Sequence, residues 1–123
     1  MAAMQLLALG GGLPHPDRGL HLDGLQEVKE SDLEQILRDE VVAAGGVCIK
    51  LPALLYRGIP DRMVLLPVAR IFFLELKADR GRPSRTQSVF RKFLQAIGFY
   101  SEIIRGKVEL EDFLNHHVRK DPQ

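Results

Sequence analysis

The chain has no tryptophan, only two tyrosines and six phenylalanines, and a single cysteine, Cys48, in 123 residues. One cysteine makes no internal disulfide, and no cluster has zinc-ligand spacing. Neither a disulfide framework nor a structural zinc site is therefore expected, and a reducing compartment is the default. Long apolar runs are also missing. Met1 to Leu9 is apolar, but no basic residue precedes it and it stops at Gly10-Gly11-Gly12; Ile71 to Leu76 is of strand length and bounded by charge. Nothing approaches the roughly 20 residues of a membrane span, and a secretory signal is not expected. The expectation is a cytoplasmic protein with no membrane partner. Internal repeats and low-complexity segments are absent too. What is present, 46% hydrophobic and 27% charged residues, describes one globular domain long enough to bury a core without covalent staples.

The formal net charge of +1 hides a strong division. Residues 1–49 carry three Lys/Arg against eight Asp/Glu, residues 50–107 carry twelve against four, and residues 108–123 carry two against four. A basic middle between acidic ends suggests a polyanion-binding face, the alternative being a merely solvated basic surface.

Residues 1–30, punctuated by Gly10-Gly11-Gly12, Pro14, Pro16, Gly19 and Gly24, read as an irregular N-terminal arm. A domain over 31–118 follows, with a short tail at 119–123. Ser31-Asp32-Leu33-Glu34 has the form of a capping box, Leu33, Ile36, Leu37 and Val41 recur at helical spacing, and Gly45-Gly46 ends the run. Strands are predicted at Val47–Leu51, about Arg62–Leu66, Ile71–Lys77 and Phe99–Ile104. Ser84-Arg85-Thr86-Gln87 is a second capping box, opening a helix whose apolar face is Val89, Phe90, Phe93, Leu94 and Ile97. A terminal helix is predicted over Leu110–Val118. The third strand, apolar on both faces until its end, belongs near the centre of a sheet. The order helix, three strands, helix, strand, helix gives an α/β fold with a small mixed sheet of about four strands.

Asp61 begins the second strand just after a Gly-x-Pro turn, while Glu75 and Lys77 close the third and share one face. The connection between these strands is only about four residues, so they should pair antiparallel, and the start of one then meets the end of the other. Two carboxylates and an ammonium converge. Such a group either closes as an ion triplet or binds a hard divalent cation through oxygen. A cation, a phosphate drawn in by the basic segment, and a lysine together make an apparatus for phosphodiester hydrolysis.

Gly58-Ile59-Pro60-Asp61, thirteen residues, then Glu75-Leu76-Lys77 resembles the Pro-Asp…Glu-x-Lys signature of the restriction-endonuclease-like superfamily. More narrowly, Glu34 in a helix ending at Gly45-Gly46, Lys50 on the next strand, Arg57 to Arg62, Phe73 to Lys77, and Ser84 with Gln87 resemble the VRR-NUC nucleases over about residues 30–106. The resemblance implies a restriction-endonuclease-like αβββαβ core and a metal-dependent endodeoxyribonuclease using Mg2+ or Mn2+. It implies Asp61 and Glu75 as metal ligands, the backbone carbonyl of Leu76 as a third oxygen, and Lys77 as the catalytic lysine. Glu34 would reach the metal from its helix, through water in one version, and Gln87 and Lys50 would line the site. The free-standing members that this chain resembles imply a homodimer, of phage or prophage type, cleaving branched DNA such as Holliday junctions.

Several assignments keep an alternative. A glutamate at the position of Glu34 commonly folds back on its own helix cap, and Glu30 and Glu40 lie within or near the same stripe, so either could be the inward carboxylate. Gln87 faces the same competition from the cap at Ser84. Arg80, Arg82 and Arg85, with Arg91 and Lys92 beyond, are the expected phosphate contacts, joined by Lys50, Arg57 and Arg62. His116 and His117, about 100° apart on a helix, do not chelate one ion and read as surface residues. Phe72, Phe73, Phe90, Phe93 and Phe99 read as core rather than base-stacking platforms. Flap cleavage, non-specific cleavage, sequence-reading restriction and a non-catalytic nucleic-acid-binding module are the competing functions.

Overall fold

The computed structural model describes residues 28–119, from Val28 to Arg119. The expected arm lies, but for its last three residues, outside the described residues, as does nearly all of the tail. The elements run α1 (Glu30–Ala43), β1 (Val47–Lys50), a 3-10 turn (Ala53–Leu55), β2 (Arg62–Leu66), β3 (Arg70–Lys77), α2 (Arg85–Ala96), β4 (Tyr100–Arg105) and α3 (Gly106–Phe113), which passes into a π turn (Leu114–Val118). The sheet order is β1-β2-β3-β4, with β1/β2 and β2/β3 antiparallel and β3/β4 parallel. A parallel pair needs a crossover, and α2 supplies it. This is the expected mixed α/β sheet, with β3 interior.

Strand alternation divides the sheet into two faces. Val64, Leu66, Phe72, Leu74, Leu76 and Ile104 point to one side and pack on Leu33, Leu37 and Val41 of α1 and on Leu110, Phe113 and Leu114 from the α3 end. This is the core, closed by Phe72 set edge-on to Phe113 (5.3 Å between centroids, 88°) and Tyr100 (5.0 Å, 69°). His117 packs into the same ring cluster and is half-buried rather than a surface residue. The other face carries Phe73, Glu75 and Lys77 toward α2.

Several sequence expectations change in detail. The capping box at Ser31 does not form: α1 begins two residues early, behind Lys29 as its cap, whose carbonyl takes the amides of Asp32 (3.0 Å) and Leu33 (3.2 Å). Glu34 has a stronger partner elsewhere, described below. The box at Ser84 does form. The terminal helix starts at Gly106 rather than Leu110, directly from β4, and the Glu109 carboxylate takes the Arg105 amide at 2.8 Å. Of the five phenylalanines expected in the core, only Phe72 is buried. Phe73 and Phe90 are half-buried, while Phe93 (52%) and Phe99 (39%) are exposed, as are Val89 and Ile97. The helix α2 buries Leu94 alone, because, of the strands, it packs mainly on the edge strand β4.

The β2–β3 connection is a three-residue turn, Pro67–Ala69, in which Val68 and Ala69 adopt φ +68° and +57°. Left-handed backbone is costly for side chains with a Cβ, most of all a β-branched one. Replacing Val68→Asn together with Ala69→Gly is expected to raise unfolding stability by roughly 1–2 kcal/mol, read from the urea midpoint at unchanged m-value. A midpoint that falls would show that the turn is held by contacts of the native side chains.

Candidate active site

The β2/β3 register is Arg62 with Leu74 and Met63 with Phe73. Continued by one residue it sets Asp61 opposite Glu75. The Asp61 amide donates to Glu75 Oε1 at 3.1 Å, Lys77 Nζ lies 3.5 Å from Glu75 Oε2, and Gln87 Nε2 donates to the same Oε2 at 2.9 Å. The lead-in to Asp61 is seated on the first turn of α2. Gly58 has φ +83°, and a Cβ there would come within 2.4 Å of the Thr86 carbonyl oxygen. Only glycine permits that approach, which locks the Arg57–Pro60 loop, and so Asp61, against the helix that carries Gln87.

The competition noted for Gln87 dissolves because the amide has two ends. Its Oε1 accepts the Ser84 amide at 2.9 Å and completes the capping box, while its Nε2 reaches Glu75. One side chain starts the helix and orients the carboxylate.

The electrostatics of the pair are unfavourable. Burial first, and then the charge of Glu75, push the Asp61 carboxyl up to about 7, against a partly offsetting hydrogen bond from the Leu76 backbone. Burial also raises Glu75, opposed mainly by Lys77. Asp61 Oδ1 is buried without a protein partner. Buried carboxylate oxygens are ordinarily satisfied, so an unpartnered one beside a second carboxylate fits a bound cation. The set offers two carboxylates, to which the resemblance adds the Leu76 carbonyl. Among the described residues no group of three or more Asp, Glu, His or Cys side chains gathers as a metal cage. A magnesium-like ion, which keeps several waters and takes one or two carboxylates plus substrate phosphate, suits so small a set.

Glu34 Oε1 lies 2.9 Å from Arg62 Nη2, and Arg62 points to the core face, opposite to Glu75; the charge of Glu34 nevertheless helps to raise Asp61, so α1 does bring a carboxylate within reach of the pair. The capping role for Glu34 is absent, since a buried guanidinium is a stronger partner than an exposed amide. Glu40 is also engaged, by Arg119 at 3.0 Å, and is not an inward carboxylate. Arg62 itself is 3% exposed, so the expected phosphate contact at this position is replaced by an internal ion pair. Arg91 differs from Arg62, since its Nη1 is buried without a partner. It shares a small enclosed cavity behind Glu75 and Gln87 with Ser101, whose Oγ is also buried and unpartnered. Lys50, Arg57, Arg80, Arg82, Arg85 and Lys92 are exposed. Arg57 and Arg85 border a mainly apolar groove with Tyr56, Val89 and Phe93, whereas Arg80 and Arg82 lie beyond Lys77 in a cleft with Arg105. Arg105 escaped the sequence reading because its nearness to Lys77 comes from β3/β4 pairing, which no local pattern reveals.

No family model matches the chain. A protein of Acyrthosiphon pisum secondary endosymbiont phage 1, named "Putative nuclease p44", is 37% identical over 87 residues, which cover 71% of this chain and 92% of that protein. A solved structure described as a VRR_NUC domain superposes with a TM-score of 0.67 at 24% identity, over 73% of this chain and 98% of its own.

The raised Asp61 pKa has a consequence for stability. Between the unfolded value of 3.8 and the folded value of about 7, the folded state keeps a proton that the unfolded state releases. In metal-free protein, stability therefore falls as pH rises through that window. Asp61→Asn removes this loss. In EDTA at pH 8 the variant is expected to be more stable than the native protein by about 2 kcal/mol or more, with a flatter stability profile from pH 4 to 7. An asparagine variant less stable at pH 8 would mean that Asp61 is a satisfied structural group.

Proposed function

The chain belongs to the VRR-NUC family, with the restriction-endonuclease-like α/β fold, and from that premise we propose that this nuclease is a divalent-metal-dependent DNA endonuclease that cuts branched DNA, four-way junctions in particular, as a homodimer. The observation that carries the catalytic part is the half-buried Asp61 carboxylate, whose Oδ1 is buried and unpartnered and which stands opposite Glu75 beside Lys77. A structural ion triplet would leave neither an orphaned oxygen nor a carboxyl pushed up to about 7.

Asp61, Glu75 and the Leu76 carbonyl would hold Mg2+ or Mn2+, which supplies Lewis-acid polarisation of the phosphoryl oxygen and a more acidic attacking water. The protein's own residues do the rest. Gln87 holds Glu75 Oε2 so that the carboxylate faces Asp61. Lys77, 3.5 Å from Glu75, is placed to orient the attacking water and to offset charge that grows on the phosphoryl oxygens in the transition state. Glu34 is a positioning residue in this reading, fixing Arg62 next to Asp61. The exposed arginines of the basic segment, with Lys50 and Lys92, bind the phosphate backbone.

The dimer rests on a different observation. The face of α2 that carries Val89 (61%), Phe93 (52%) and Ile97 (54%) is exposed, together with Phe99. A contiguous apolar face of this kind marks an association surface, and a second copy set on it by two-fold symmetry presents two sites to a symmetric junction. The phage relative supports action in a host cytoplasm, and among the described residues no helix is long and apolar enough to cross a membrane.

The deciding experiment is single-turnover cleavage of a labelled four-way junction, beside a flap and a linear duplex of the same arms, with manganese or with EDTA. The native protein is expected to cut the junction only with metal. Lys77→Ala and Asp61→Ala should each lower the rate about 100-fold or more. Preferred cutting of the flap, or equal cutting of all three, would replace the junction assignment. DNA binding with no metal-dependent cutting would move the protein to the non-catalytic class. Light scattering of the native protein should give a dimer mass and Phe93→Asp a monomer; a native monomer would remove the two-fold argument.

A further inference from the structure

On the parallel strands β3 and β4, Lys77 is paired with Arg105. Paired residues of neighbouring strands project from the same face, about 4.8 Å apart, so the Arg105 side chain leaves the sheet alongside the lysine. Beyond them the Asp79–Pro83 loop folds over to form a cleft of about 870 Å3, bordered by Arg80, Arg82, Arg105 and Ser88. Three arginines face one acidic residue, Asp79. Its Oδ1 is held against Gly106, where a Cβ would collide with it, so the carboxylate is turned to the backbone at the start of α3. No arginine of the cleft has an ion-pair partner among the described residues.

Gly81 ties this cleft to the catalytic lysine. Its carbonyl accepts Arg105 Nε at 3.1 Å. A Cβ on Gly81 would stand 2.8 Å from Lys77 Cβ and 3.1 Å from its Cδ, which means that the loop backbone lies directly along the lysine stem. The bond from Nε fixes the Arg105 guanidinium and leaves its terminal nitrogens as donors into the cleft. A rigid guanidinium with free N–H groups, two further arginines and a hydroxyl, in an open and mainly polar cleft, match a phosphodiester rather than an apolar ligand.

We propose that this cleft binds a backbone phosphate of the substrate strand next to the one being cut, and that Gly81 couples its occupancy to the placement of Lys77. The proposal rests on the nuclease reading above. Successive nucleotides advance about 3.4 Å along the helix axis, so a site one strand spacing beyond Lys77 falls within one or two nucleotides of the cut. Arg105 and Arg82 are then determinants of strand direction through the site, and Gly81 is a positioning residue for the lysine.

The test compares native protein, Arg105→Gln, Arg82→Ala, Gly81→Ala and the exposed control Lys107→Ala. Each is assayed for metal-dependent cleavage and for binding of a labelled duplex in EDTA across a salt series, with thermal melts to confirm folding. Arg105→Gln and Arg82→Ala are expected to raise KM about tenfold and to make the logarithmic salt dependence of binding shallower by about one per charge removed. Lys107→Ala should move neither quantity comparably. Gly81→Ala should lower kcat at nearly unchanged KM, because its new Cβ displaces the Lys77 stem. If the two arginine variants change KM and salt slope no more than Lys107→Ala, the phosphate site is refuted; if Gly81→Ala keeps native kcat, the coupling is. Native protein that binds DNA with the arginine dependence described but cuts nothing would instead overturn the nuclease reading and leave the phosphate site standing.

Discussion

Everything at the site follows from holding two carboxylates together where neither is well hydrated. The antiparallel β2/β3 register continues to Asp61 opposite Glu75, and backbone pairing enforces that proximity whatever the side chains would prefer. The repulsion is real, since it contributes with burial to lifting the Asp61 carboxyl to about 7. The surroundings compensate unequally: Glu75 receives the Asp61 amide, Gln87 and Lys77, while Asp61 has a hydrogen bond from the Leu76 backbone and nothing at Oδ1. That asymmetry is a local instability sustained by the rest of the fold, and it is the feature on which the proposed cation site rests.

The fold can sustain it because the two faces of the sheet have separate duties. The core face is closed by α1 and the α3 end with leucines, Val41, Val64 and the Phe72–Phe113–Tyr100 cluster. The opposite face is covered only in part by α2, which buries Leu94 and otherwise serves as a mount for Gln87 and Arg91. A helix fully engaged in packing would fill the space over Glu75. Leaving it partly engaged leaves a small cavity behind Glu75 at one end and an apolar surface at the other.

A polar interaction crosses between these duties at one point and another braces the open face. Arg62, buried on the core face beside Asp61, is neutralised by Glu34 from α1, so the first helix is joined to the start of β2 by charge as well as by leucines. Gly81 lies along the Lys77 stem and accepts Arg105 Nε, joining two neighbours of the same face on the far side of the site. Both are cases where a residue with an evident surface or turn role is absorbed into the support of its neighbours.

The sequence was most legible where the signal is local or periodic. The helix from Ser84, the strand at Arg62–Leu66, the interior β3 and the Asp61, Glu75 and Lys77 triplet all depend on spacing, alternation and a short connection, and these physical constraints act within about 15 residues of chain. It was least legible where side chains choose among competing partners. Whether Glu34 caps its helix or pairs with Arg62, whether Phe93 is core or surface, and whether Arg105 lies beside Lys77 depend on which elements meet across the sheet. The amino-acid order determined the elements and the chemistry available at their ends. Only the tertiary structure decided which carboxylate went unpaired, which arginines were buried and which faced a cleft, because those outcomes are set by relative desolvation and by strand register, which exist only once distant segments have packed.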